Sequence, residues 1–250
     1  MVMKFVKPLL VLLSTLLLAA CASKVQIPLA GQQVDLKDTS AFLPQQTYDE
    51  QGKAIAYEPM ENPYLDLKGK IDKGSVLLFI EAKKAMRQND NKTAKQKLGV
   101  ITQKDTSLSG PWVLLGNIAV EEKQFKQAQE HYKQAIKITP DNINAYIALA
   151  KAQRMMGEFA VAQNTLALVL SIWKDCPEAH MNLGVLYDVY LNQPKKAQQH
   201  IEAYLFLDDY SDQTAIAWYN EIQSRTGIEK SFVDPKQTAN PSTLMSSAED

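Results

Sequence analysis

The chain has 250 residues, 46% of them hydrophobic and 22% charged, which is enough for one or two ordinary folded domains. Its 27 basic and 28 acidic residues leave a formal net charge of −1. No long block of like charge stands out, so the basic stripe of a nucleic-acid-binding protein is excluded.

The first 20 residues read as a secretory signal peptide. Lys4 and Lys7 precede an apolar run over residues 9–20, broken only by Ser14 and Thr15. That run falls short of the roughly 20 apolar residues of a membrane span, and it ends in small residues. Leu18-Ala19-Ala20-Cys21 then resembles the lipobox of bacterial lipoproteins. The resemblance implies cleavage before Cys21, a diacylglyceryl group on its thiol and an acyl chain on the new amine. Each buried acyl CH₂ contributes about 0.8 kcal/mol, and two or more chains make a lasting anchor. Ala22, rather than Asp, follows the cysteine. By the enterobacterial pattern this implies the outer membrane, facing the periplasm. With Cys21 lipidated, Cys176 has no partner within the chain and reads as a small buried packing residue, with a mixed disulfide to a partner as the alternative.

Residues 21–73 form a lipidated, mostly irregular leader. Pro28, Pro44, Pro59 and Pro63 punctuate it and no helical period is sustained. As a free coil residues 22–73 would average roughly 40 Å end to end. "YEPMENPYLDL" is too apolar for a spacer, however, and is expected to pack in part against the first helices.

Residues 74–227 repeat. In frames starting at Ser75, Ser109, Ile143 and Pro177, 34 residues apart, the same positions alternate bulk and near-absence of bulk. In the second frame these are Trp112, Leu115, Gly116, Ala128, Tyr132, Ala135 and Pro140; in the third, Tyr146, Leu149, Ala150, Ala162, Leu166 and Val169. The first frame has Leu78, Ala82, Ala85, Ala94, Leu98 and Ile101. The fourth has Leu183, Gly184 and Tyr187, and then Ala197, Ile201 and Tyr204 displaced by a one-residue insertion near Asn192-Gln193-Pro194. The period and the W-x2-L-G…A-x3-[FY]…P pattern resemble the tetratricopeptide repeat. The fold expected is all-α: a tetratricopeptide-repeat solenoid of antiparallel helix pairs. Small residues at positions 8 and 20 let the two backbones approach while large ones at 4, 7 and 24 fill the surrounding space. Departures are Ala119 at the usual aromatic position 11, Glu81 in place of Leu, and His180 at bulky position 4. After the four units, Ala215, Trp218, Tyr219 and Ile222 follow helical spacing and predict a C-terminal capping helix ending near Gly227. Residues 228–250, polar and broken by proline, read as a disordered tail.

No enzyme chemistry is legible. His131, His180 and His200 fall on three different predicted helices without metal-ligand spacing, and no Walker, Rossmann or G-x-S-x-G pattern occurs. No metal, cofactor, small-molecule substrate or nucleic acid is implied. The lysines and arginine of chaperone-binding tetratricopeptide domains are replaced by Val113, Ala148 and Glu178, which excludes a carboxylate clamp for chaperone tails.

The resemblance implies protein partners in the periplasm or outer membrane, beside a lipid anchor in the membrane. In this fold the first helix of each pair lines the concave face. The candidate surface is therefore Phe79, Lys83 and Arg87; Val113, Asn117 and Val120; Ile147, Lys151, Arg154 and Met155; and Met181, Val185, Asp188 and Val189. Aliphatic residues and methionines beside charge suit capture of a helix or extended segment, its acidic part near Lys151 and Arg154. In plan the chain is similar to type IV pilus pilotins, to adaptors of peptidoglycan hydrolases and to a component of the outer-membrane protein assembly machine, though its long leader departs from pilotins. The expectation is a scaffold in assembly of a cell-envelope machine. A self-associating structural lipoprotein and an adaptor regulating peptidoglycan enzymes stay open, and sedimentation separates the former.

Overall fold

The computed structural model describes residues 34–66 and 71–236. The signal peptide and Cys21 lie outside them. Among the described residues the repeats form four helix pairs: α1 (Lys73–Arg87) with α2 (Asn91–Lys104), α3 (Gly110–Glu121) with α4 (Phe125–Ile138), α5 (Ile143–Met155) with α6 (Phe159–Ile172), and α7 (Pro177–Val185) with α8 (Pro194–Leu207). A last helix, α9 (Gln213–Thr226), packs on α8 and ends at Gly227 with φ 66°. This is the expected solenoid with its cap.

The period is written into the backbone as clearly as into the side chains. Each pair turns through one residue of positive φ: Asn89, Lys123, Gly157 and Asn192. The first three are 34 apart and the fourth is 35 on, so the fourth unit carries one extra residue. Its location differs from the sequence reading. In the first three turns a backbone N–H reaches five residues back, from Asp90 to Ala85, Gln124 to Ala119 and Glu158 to Gln153; in the fourth, Gln193 reaches six back to Tyr187. The extra residue is absorbed upstream, where α7 continues as a π turn over Leu186–Tyr190 closed by Leu191 N–H on the Leu186 carbonyl at 2.9 Å. A π turn is what one residue inserted into an α-helix produces.

The small positions are where helices touch. Ala82, Ala94, Ala128, Ala162 and Ala197 are fully buried. A Cβ on Gly116 would lie 2.3 Å from Tyr132 Cε1, and one on Gly184 would lie 2.3 Å from Ile201 Cδ1. The partner of each position 8 follows its size. Ala82 and Ala150 sit in units with Leu98 and Leu166, whereas the glycines sit under Tyr132 and Ile201. Helix starts are capped by side chains: Asp72, Asp90, Asn142 and Asp212 each accept a first-turn backbone N–H. Because α3 also packs on α5, the first helices occupy the inner, more closely spaced side of the curve.

The two flanking segments pack more extensively than expected. The leader meets the early units in part, as expected: Tyr64 and Leu65 line a hollow with Val76 and Phe79 of α1, the Tyr64 hydroxyl lies 3.5 Å from Ser109 Oγ, and Asp72 pairs with Lys104 of α2. The rest runs over the later ones. Lys37 bonds Gln163 and Asn164 on α6, and Tyr57 donates to Asp175 and packs edge-on against Phe206. The Met60 carbonyl accepts from Trp173 Nε1. Between these points a two-residue hairpin pairs β1 (Thr47–Tyr48) with β2 (Ala54–Ile55). The tail read as disordered from 228 instead packs as far as Lys236. Val233 is fully buried, and the backbone N–H of Phe232 and the hydroxyl of Ser231 both bond the buried Glu202 carboxylate. Burying that acid calls for donors, and the tail supplies them. Leader and tail also join each other: Gln46 N–H donates to the Val233 carbonyl at 2.8 Å, and Tyr48 donates to Asp234 at 2.6 Å.

Candidate functional site

The inner faces of α3, α5 and α7 enclose a groove of about 650 Å³. It brings together Val113, Asn117, Ile147, Lys151 and Arg154 of the sequence-derived surface, and adds Asn144, Ala148, Glu178 and Asn182. The helical period puts these positions on one face of each first helix, and the close approach of α3 and α5 sets them side by side. The walls are part apolar and part amide. Asn117 accepts from Tyr132 at 2.8 Å, and Asn182 donates to the Glu178 carbonyl at 2.7 Å, which holds both amides in place.

Arg154 is the most constrained cation here. Its Nη1 donates to Tyr190 at 3.0 Å and its guanidinium lies 5.7 Å from that ring, which in turn stacks on Phe159 at 4.4 Å. The π turn puts Tyr190 in that place. Arg154 Nε is buried with no hydrogen-bond partner among the described residues. Lys151 is exposed one turn away. The groove therefore offers two cations, ordered amides and aliphatic walls.

The other surface residues are dispersed. Phe79 lines a separate hollow of about 590 Å³ near Tyr64, while Lys83 and Arg87 are exposed on α1. Val120 packs against the core around Tyr132 and Leu149, and Met181 against the core of the last units. Val185 is half-buried, and Met155 and Val189 are exposed on α5 and the π turn. Asp188 does not supply a free acidic wall. Its carboxylate accepts from Trp218 Nε1 at 2.9 Å and Arg225 at 2.6 Å, both on the capping helix. The groove's acid is Glu178 instead.

The three histidines lie on three different helices, α4, α7 and α8, and His180 occupies the core position that the repeat gives it. His180 and His200, both buried, face each other with their Nδ1 atoms 2.9 Å apart. The signal was present: positions 4 and 23 of a unit face each other, as Trp112 and His131 do with rings 5.7 Å apart. Cys176 is buried, and burial pushes its thiol up to about 12, so it is an unreactive packing residue. Among the described residues no group of His, Cys, Asp and Glu is arranged to hold a metal.

Comparison with known proteins places this geometry. Residues 119–184 match the tetratricopeptide repeat family. No curated protein matches the chain. Among solved structures, PilF of Pseudomonas aeruginosa superposes with a TM-score of 0.57 at 15% identity, over 62% of this chain and 70% of that one. MamA from Desulfovibrio magneticus RS-1 gives 0.54 at 14% identity, over 63% and 88%. A tetratricopeptide repeat protein from Parabacteroides merdae gives 0.54 at 19% identity, over 62% and 61%. At these identities the likeness is one of fold.

Proposed function

We propose that this tetratricopeptide-repeat protein is a lipid-anchored adaptor of the outer membrane that faces the periplasm and holds a protein partner in the groove between α3, α5 and α7. Its work is binding rather than catalysis, in the assembly of a cell-envelope machine. Solenoids of this kind present extended inner surfaces to partners. The observation that carries the reading is the groove itself: apolar walls from Val113 and Ile147, fixed amides, and the cations Lys151 and Arg154 side by side. A partner segment with acidic side chains would complement that charge. The lipobox at Cys21 supports the anchored location.

The test is Lys151→Glu combined with Arg154→Glu, followed by crosslinking in cells and identification of the captured proteins. Specific partners are expected to fall several-fold in recovery. Lys151 is exposed and contributes roughly 0–1 kcal/mol, whereas Arg154 also loses its Tyr190 contacts, so Lys151→Glu alone is the control expected to keep the parent's melting temperature. Unchanged recovery would move partner binding to the outer face or the leader.

A further inference from the structure

The leader crosses α6 and α8 as an extended segment that is recognised mainly through its backbone. Gln163 pairs twice with Lys37: its Oε1 accepts the Lys37 N–H at 3.1 Å and its Nε2 donates to the Lys37 carbonyl at 2.9 Å. Asn164 does the same one step along, accepting from the Lys37 N–H at 2.8 Å and donating to the Asp35 carbonyl at 2.9 Å. These contacts are indifferent to side-chain identity. Leu36 and Phe42 rest partly buried on the core, and Thr39 is the polar side chain that enters it. Of residues 35–43 it alone is buried, and its hydroxyl lies 2.7 Å from His200 Nε2 and 3.2 Å from the Tyr187 hydroxyl.

The directions of these bonds are fixed from both ends. The Lys174 carbonyl can only accept, so His180 Nε2, 2.9 Å away, carries a proton, and in the neutral ring its Nδ1 accepts. His200 Nδ1 therefore donates to His180, and His200 Nε2 accepts from Thr39. At the other end the Lys37 backbone orients the Gln163 amide, whose Nε2 donates to the Tyr187 hydroxyl at 2.8 Å. Tyr187 then donates to Thr39, and Thr39 to His200. The two derivations meet without conflict. They require both histidines to be neutral.

One added proton breaks the chain. With either imidazole charged, His200 Nε2 must carry a hydrogen toward Thr39, Thr39 must turn its own hydrogen to Tyr187, and the Tyr187 hydrogen loses its acceptor. The charge would also be buried without a free counter-ion. The groups facing the pair are Lys196 on α8 and Asp175 and the Lys174 carbonyl in the loop before α7; Asp38 of the leader lies beyond, near Lys196 and Tyr187. Asp175, the nearest acid, already accepts from Tyr57 and from the Met60 N–H. Burial holds His180 down at about 4; burial, then His180 and Lys196, hold His200 well below the usual range.

We propose that the outer surface of α6 and α8 is a binding site for an extended segment bearing a hydroxyl side chain, that residues 35–39 of the leader are its ligand within the same chain, and that protonation of the His180–His200 pair releases them. A proton binds the released state more readily than the docked one. Docking is therefore complete above the ordinary histidine range near 6.5 and weakens as pH falls toward about 4.

Hydrogen exchange of the full chain, corrected for the intrinsic rate at each pH, tests this. From pH 7 to about pH 4.5, exchange over residues 35–46 is expected to rise about tenfold, as one pK unit of coupling gives, while α3 to α5 stay protected. Thr39→Val keeps the side-chain shape without the hydroxyl and is expected to show fast leader exchange already at pH 7. His180→Gln with His200→Gln is expected to abolish the pH step. A parent without the step, a step that persists in the double variant, a Thr39→Val chain that exchanges like the parent, or loss of α3 to α5 together with the leader would each overturn the proposal.

Discussion

Gly116→Ala and Gly99→Ala are the same chemical change and are expected to have opposite effects. Gly99 lies inside α2, and a Cβ there would meet nothing within 4 Å. Removing the backbone freedom of glycine from a helix interior stabilises by about 0.5–1 kcal/mol. At Gly116 the same gain is outweighed, because the new Cβ would sit 2.3 Å from Tyr132 Cε1 and 2.7 Å from Cδ1 and Cζ. Ordinary contact begins near 3.4 Å, so a ring that is 2% exposed must shift by about an ångström. Against a ring this buried the overpacking cost falls in the upper half of the usual range, about 2–3 kcal/mol, which less the helix gain leaves a net loss of about 1–2.5 kcal/mol. For a chain of this size that lowers the melting temperature by roughly 2–10 °C. Circular dichroism on heating reads both variants. The repeats also supply the rescue, since units with alanine at position 8 carry leucine at position 24, as in Ala82 with Leu98 and Ala150 with Leu166. Tyr132→Leu should therefore cost less in the Gly116→Ala background than alone, with a coupling of about 1 kcal/mol or more. Additive effects, or a Gly116→Ala chain as stable as the parent, would refute the close-contact argument.

Two further outcomes follow from other parts of the chain. Asp188→Ala removes the acceptor of Trp218 and Arg225, which should loosen α9, cost about 1–3 kcal/mol and change the Trp218 fluorescence; an unchanged spectrum and melting curve would remove Asp188 as the tie to the cap. Cys21→Ala should abolish recovery with outer-membrane vesicles after a salt wash. A variant that still fractionates with them would show that Cys21 is not the anchor.

The helix pairs were legible because their constraint is periodic: a residue that must be small in one unit must be small 34 residues later. The groove was legible in part for the same reason, and Val113, Asn117, Ile147, Lys151 and Arg154 meet where the spacing placed them. Asp188 failed because its role is set by α9, which lies outside the repeat. The inserted residue was placed a few positions too late, near Asn192 rather than in the π turn at Leu186–Tyr190, because it leaves the hydrophobic pattern shifted but does not show which turn absorbed it. Leader and tail have no period to read. Thr39, Ser231 and Val233 are buried by contacts outside the repeat pattern, with His200 and Tyr187, with Glu202 and with the leader, and nothing in their neighbours announces them. The histidine pair lay between. The facing of positions 4 and 23 could have revealed it.

Stacked repeats ordinarily behave as a one-dimensional array, in which each unit answers only to its neighbours and the ends fray first. The clasp between leader and tail changes that arrangement at one end. Leu36, Phe42 and Tyr64 pack against the core of the last two units, and the Gln46 to Val233 bond ties the strap to residues beyond the cap. The third and fourth units, α9, the strap and the tail are therefore linked by contacts between residues more than a hundred positions apart in the sequence. They should unfold as one cooperative block. The first unit meets the strap only through the open hollow around Tyr64 and Leu65, and its first helix leaves Leu77 61% and Ile80 55% exposed among the described residues. Melting of the array is thus polarised, beginning at α1 and α2 and reaching the strapped block last.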